Sequence, residues 1–213
     1  MSDKTILYIH GMGGGGDSRI PSILQASFPV VVRTYDFNPS VAARQIARWV
    51  EELSPALVIG ESLGACHAIR IRGVPHLLVS PSLGGPLWLG LGAFLARIPG
   101  VTQILDRKYR PRDGDRQALH FTAGTMRGYR RHLGLALCNT PRRGSRDRFH
   151  AFFGRKDTYR RSGVVSIRLW EKYFGPGSYT LYDGGHFMEE EFIESLLVPR
   201  IRAELTASVP DRP

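Results

Sequence analysis

Cysteine is scarce. Cys66 and Cys138 are the two in 213 residues, and neither sits at a metal-ligand spacing. That pattern excludes a disulfide framework, and the pair reads as buried free thiols of a cytoplasmic protein. Long apolar runs are missing too. The nearest, residues 87–98, falls short of the ~18–20 residues that cross a bilayer, and Gly90, Gly92 and Arg97 interrupt it. The opening MSDKTILYIHG lacks the basic segment, apolar stretch and cleavage site of a secretory leader, so none is expected. No H-E-x-x-H and no cluster of His, Cys and Asp occurs, so neither a metal nor another cofactor is expected. Acidic residues are few, 19 against 29 Lys and Arg, for a formal charge of +10.

The positive charge is concentrated. Residues 127–161 hold eleven Arg and Lys against Asp147 and Asp157. Such a stripe attracts nucleic acid, an anionic surface or an acidic substrate, or is simply a solvated face. No nucleic-acid-binding motif accompanies it. The interleaved Phe149, Phe152 and Phe153 fall in a strand-like run and read as core, so nucleic acid is not expected.

Apolar residues make up 42% and charged residues 23%, ordinary globular usage for a single domain over 1–213. Short apolar runs alternate with helical patterns. Strands are expected over residues 5–9, 30–35, 56–59, 76–79, 148–153 and 178–182. Helices are expected over 22–26, 41–53 with Ser40 as N-cap, 63–71, 164–174 and 189–205. This rhythm predicts an α/β fold, a mostly parallel sheet with helices on both faces. Residues 84–134 break the rhythm and predict a helical insertion or cap. Its apolar Leu87, Trp88, Leu89, Leu91, Phe94 and Leu95 suit the core of that insertion, an acyl pocket or an oligomer contact. The tail after Ala207 is expected to fray.

Gly11-Met12-Gly13-Gly14-Gly15-Gly16, after the first strand, fits G-x-G-x-x-G, and Asp36 follows Gly16 by 20 residues. That spacing suits a dinucleotide site. Pro21 interrupts the helix that would carry the pyrophosphate, however, and Asp17 puts negative charge beside it. A P-loop fails because Asp17-Ser18 stands where Lys-Ser/Thr is required. The third reading is a loop whose amides meet a transient oxyanion.

Gly60-Glu61-Ser62-Leu63-Gly64 decides among them. It fits G-x-S-x-G between an apolar strand and an alanine-rich stretch, the setting of a nucleophile elbow. Glu61 reads as a solvated or salt-bridged elbow residue. A serine needs a base, and the base an orienting acid. Asp157 follows the strand at 148–153 and His186 follows the strand at 178–182, in the order Ser, acid, His. Asp147 precedes its strand, and Asp183 is too near His186 to orient it easily. His10 would brace the glycine loop.

HGMGG, GESLG, the Asp157 loop and GGHF around His186 together resemble the α/β-hydrolase superfamily. The compact spacing is most similar to bacterial YqiA/YcfP-type esterases. The resemblance implies a nucleophile Ser62, a base His186, an acid Asp157, and an oxyanion hole from the amides of Met12 and Leu63. The implied activity is hydrolysis of a carboxylic ester, or thioester, through an acyl-enzyme. The basic stripe around Asp157 suggests an anionic acyl substrate. The competing expectation is a non-catalytic binding protein on the same scaffold, using its basic surface for an anionic partner.

Overall fold

The computed structural model describes residues 4–110, 113–138 and 148–207. Six strands form one sheet: β1 (Ile6–Ile9), β2 (Val30–Val32), β3 (Leu57–Glu61), β4 (His76–Val79), β5 (Phe149–Gly154) and β6 (Tyr179–Tyr182). Their order is β2-β1-β3-β4-β5-β6, and every neighbouring pair is parallel.

A parallel sheet buries both faces, and the side-chain alternation distributes the core accordingly. Leu7, Ile9, Val58, Leu78, Ala151 and Phe153 point to one face. There they meet α2 (Pro39–Leu53), α3 (Ala65–Ala68), α6 (Ala123–Leu137) and α7 (Ile167–Phe174), through residues such as Ile46, Cys66, Tyr129 and Trp170. Ile6, Tyr8, Leu57, Ile59, Leu77, Val79 and Phe152 point to the other face. They meet α1 (Arg19–Leu24) and the C-terminal helical run through Ile20, Leu24, Ile193, Leu197 and Ile201. Phe149, Phe152 and Phe153 are all buried, as the strand pattern predicts.

Several boundaries differ from those expected. Helix α2 starts at Pro39, and its cap is Asn38 rather than Ser40: the Asn38 side chain accepts from the Ser40 N–H at 3.0 Å. The helix expected over 63–71 is reduced to a 3-10 turn at Ser62–Gly64 followed by α3. Beyond α3 the chain tightens into a turn: the N–H groups of Arg70 and Ile71 reach back three residues, to the His67 and Ala68 carbonyls, and Ile69 and Ile71 are both buried. The last helix is not uniform. It runs through α8 (Glu190–Phe192), a π segment (Ile193–Leu197) and α9 (Val198–Ala207). The wider π turn immediately precedes Pro199, which has no N–H for an α-helical bond. Cys66 is a buried thiol as read, but Cys138 is exposed, at the end of α6.

Residues 84–134 contain α4 (Gly85–Leu95), α5 (Val101–Lys108) and the first part of α6. Helix α6 sends Met126, Tyr129 and Leu133 into the main core beside Phe37. Helix α4 lies along α6, with Ala93 buried between them. Its Leu87, Leu91, Phe94 and Leu95 are exposed, so they are not core. Arg142, Arg143, Arg146 and Asp147 of the basic stripe, and the tail after Ala207, lie outside the described residues. Among the described residues no helix is long and apolar enough to cross a membrane.

Candidate active site

In an open parallel sheet a crevice forms where neighbouring strands connect in opposite directions. Here that point lies between β1, whose chain leaves toward β2, and β3 on its other side. The glycine loop follows β1 and Ser62 follows β3, so both reach the crevice by topology alone.

Ser62 has φ +50°, a left-handed conformation costly for a residue with a Cβ. The elbow is held by close packing on both sides. A Cβ at Gly64 would lie 2.2 Å from the His10 carbonyl oxygen, and one at Gly60 would lie 2.7 Å from the Ala68 Cβ. Only glycine fits either position.

The loops after β5 and β6 bring the other two residues in. His186 Nε2 lies 2.9 Å from Ser62 Oγ, and His186 Nδ1 lies 2.8 Å from Asp157 Oδ2. Asp157 is buried, and its second carboxylate oxygen accepts from the Tyr159 N–H at 2.8 Å. Asp183 is occupied elsewhere, 2.8 Å from Lys156 Nζ. The structure therefore brings together the three residues that the sequence singles out, separated by 95 and 29 positions.

One neighbour was not legible in the sequence. Ser82, beyond the end of β4, places its Oγ 3.0 Å from Ser62 Oγ. Its own N–H donates to the Ser62 carbonyl at 3.0 Å. Ser80-Pro81-Ser82 signals only the end of a strand; the signal lay in β4 pairing directly with β3.

The glycine loop is spent on the protein itself. Gly13 N–H donates to Gln117 Oε1, Gly14 N–H to the Gly11 carbonyl, Gly15 N–H to Ser18 Oγ, and Gly16 N–H to the Asp115 carbonyl. Four amides that a pyrophosphate or triphosphate would require are thus already paired. Met12 N–H has no partner among the described residues. Met12 and Leu63 both line the cleft above Ser62. Leu63 follows Ser62 in the first turn of a helical segment, where backbone N–H groups lack intrahelical acceptors.

His10 braces this loop. It is buried, stacks on Tyr35 with ring centroids 4.2 Å apart, and donates from Nδ1 to the Gly11 carbonyl at 2.8 Å. Tyr35 in turn donates to the His10 carbonyl at 2.6 Å. Burial pushes the His10 imidazole down to about 4, so it is neutral at pH 7. Glu61 is neither salt-bridged nor freely solvated. It accepts from the Tyr8 hydroxyl at 2.7 Å, and burial raises its pKa.

The cleft encloses about 820 Å³. Its walls include Trp88, Leu89, Tyr109, Leu119, Tyr159, Val164 and Phe187. Of the six apolar residues proposed from the sequence for an acyl pocket, only Trp88 and Leu89 reach it. Its guanidinium groups are Arg19, Arg110 and Arg116, not members of the 127–161 stripe. Among the described residues no group of three His, Cys, Asp or Glu side chains is arranged to hold a metal.

No protein-family model matches the chain, and no curated protein matches its sequence. Solved structures do match. A metagenome-derived lipolytic enzyme of the LipS and LipT pair superposes with a TM-score of 0.57 at 14% identity, over 97% of this chain and 94% of that one. A structure from work on carboxylesterases of the thaumarchaeon Nitrososphaera gargenis gives 0.56 at 16% identity, over 98% and 93%. NosK from Streptomyces actuosus gives 0.56 at 16% identity, over 97% and 99%. The match spans nearly the whole of each partner, and with the all-parallel sheet and its flanking helices it identifies the architecture: the chain has the fold of the α/β-hydrolase superfamily.

Proposed function

We propose that this protein is a serine hydrolase that cleaves a carboxylic ester, or a thioester, through an acyl-enzyme. The observation that carries the reading is the hydrogen-bonded chain from Ser62 Oγ through His186 to Asp157, with steps of 2.9 and 2.8 Å, at the floor of an open cleft. Esterases and lipolytic enzymes among the proteins that share the fold support it.

In this mechanism Ser62 Oγ attacks the acyl carbonyl while His186 Nε2 takes its proton. Asp157 accepts from His186 Nδ1, holds that tautomer and stabilises the imidazolium. The amides of Met12 and Leu63 donate to the oxyanion of the tetrahedral intermediate. His186 then returns the proton to the leaving alcohol or thiol. Water, activated by His186, attacks the acyl-enzyme and releases the acid. Ser82 Oγ, 3.0 Å from Ser62 Oγ, is placed to donate to it while Ser62 donates to His186. The nearer likeness to YqiA/YcfP-type esterases belongs to this same proposal.

The anionic-substrate expectation changes its basis. Arg110 and Arg116 stand in the cleft wall, although Arg116 also pairs with Asp17 at 2.6 Å. These groups favour an acyl ester bearing a carboxylate or phosphate. Hydrolysis of p-nitrophenyl esters of graded chain length tests the proposal. A burst of p-nitrophenol stoichiometric with enzyme is expected, and Ser62→Ala is expected to abolish it. Turnover unaffected by Ser62→Ala contradicts the reading. Matched neutral and anionic esters at low salt test the charge preference. Equal kcat/KM for the two removes that part.

A further inference from the structure

Helix α4, GPLWLGLGAFL, carries no charged residue. A helix apolar all round is normally buried all round. This one is covered on one side only, where Ala93 and Pro86 are buried and Gly92 faces Met126. On the other side Leu87, Leu91, Phe94, Leu95 and Ile98 follow one another at helical spacing and are each more than half exposed, Leu91 at 66% and Phe94 at 68%. Scattered exposed apolar residues need no explanation, but a continuous stripe of this size marks an interaction surface.

Two observations say what covers it. The first is charge. The Arg97 guanidinium lies over the Phe94 ring at 5.7 Å, and Lys108 Nζ lies over Tyr109 at 5.5 Å. Arg97 therefore touches the apolar stripe itself, the arrangement that snorkelling side chains adopt at a lipid headgroup boundary, and Lys108 does the same over Tyr109 of the cleft wall. A second copy of this chain would bring the same cations, and a net charge of +10, against this face. An anionic lipid surface brings the complement. The second observation is continuity. Trp88, 52% exposed, belongs both to the stripe and to the wall of the cleft, where it is joined by Arg110. The exposed Phe187, beside His186, lines the same cleft.

We propose that the α4 stripe docks this protein on the surface of an anionic phospholipid bilayer, with the mouth of the Ser62 cleft at the boundary. Docking stands independently of hydrolysis. Delivery of lipid-derived acyl esters to Ser62 is its consequence and rests on the function proposed above.

The test is co-sedimentation with vesicles of phosphatidylcholine alone or in equal parts with phosphatidylglycerol. Using Ser62→Ala as well as wild type separates docking from catalysis. Both are expected to sediment with the anionic vesicles, not with the neutral ones, and to be released in about 1 M salt, where the Debye length falls to ~3 Å. Leu91→Asp/Phe94→Asp, at solvent-facing positions outside the cleft, is expected to weaken binding by about tenfold or more. Arg97→Gln is expected to weaken it by about fivefold, since one cation near such a surface contributes roughly that factor. Matching melting curves confirm that the variants are folded. No sedimentation with anionic vesicles overturns the proposal. So does unchanged binding of both variants, or a dimer in solution that Leu91→Asp/Phe94→Asp dissociates while vesicles bind nothing.

Discussion

The hydroxyl of Ser82 lies 3.0 Å from that of Ser62, and both residues sit at the ends of paired strands. Ser62 therefore has two hydroxyl-level partners, His186 on one side and Ser82 on the other. The expected consequence is kinetic. Removing one neutral hydrogen bond costs about 0.5–1.5 kcal/mol. Ser82→Ala is expected to lower kcat about three- to tenfold, with KM little changed. A change confined to KM would place Ser82 in substrate binding instead.

Asp157 is buried and bonded to both His186 and the Tyr159 N–H. Asp157→Asn keeps an acceptor for Tyr159 but offers His186 an amide in place of a carboxylate. A fall in kcat of about a thousand- to ten-thousandfold is expected, by analogy with the same change in other Ser-His-Asp sites. Steady-state kinetics with a matching circular dichroism spectrum checks it.

Gly64 is a structural requirement of the elbow. The Cβ in Gly64→Ala would meet the backbone oxygens of His10 and Ile9 at 2.2 and 2.5 Å. Neither is the end of a flexible side chain, so β1 and the elbow must separate. A loss of stability of about 3 kcal/mol or more is expected. Urea unfolding measures it.

Buried histidines make stability depend on pH. His10, His132 and His150 are each lowered to about 4, primarily by burial. Their folded pKa values lie below the unfolded value, so the unfolded chain binds more protons between the two. Stability is full above about pH 6.5 and declines as pH falls toward 4. The urea midpoint is expected to drop between pH 7 and pH 5, and a flat midpoint over that interval contradicts this assignment.

The sheet was legible because buried strands and helical stretches alternate on either side of residues 84–134, and parallel pairing follows from that alternation. The Ser62, Asp157 and His186 loops were legible because each follows an apolar strand. What the sequence concealed depends on lateral neighbours. Ser82 matters because β4 lies beside β3, and no local pattern records that pairing. The outward stripe of α4 was hidden for a related reason. Its residues are apolar all round, so periodicity cannot say which side meets α6. The glycine loop was ambiguous on its own. Two of its partners, Gln117 and Asp115, lie about a hundred residues downstream, and they occupy the Gly13 and Gly16 amides that a bound phosphate would need.

The proposed chemistry requires Ser62 to be an activated nucleophile. Reaction with a fluorophosphonate, followed by intact mass and peptide mapping, tests it most directly. One adduct per chain is expected on the wild type, located on Ser62, with none on Ser62→Ala and a much slower reaction on His186→Ala. An unlabelled wild type, or equal labelling of Ser62→Ala, would contradict it.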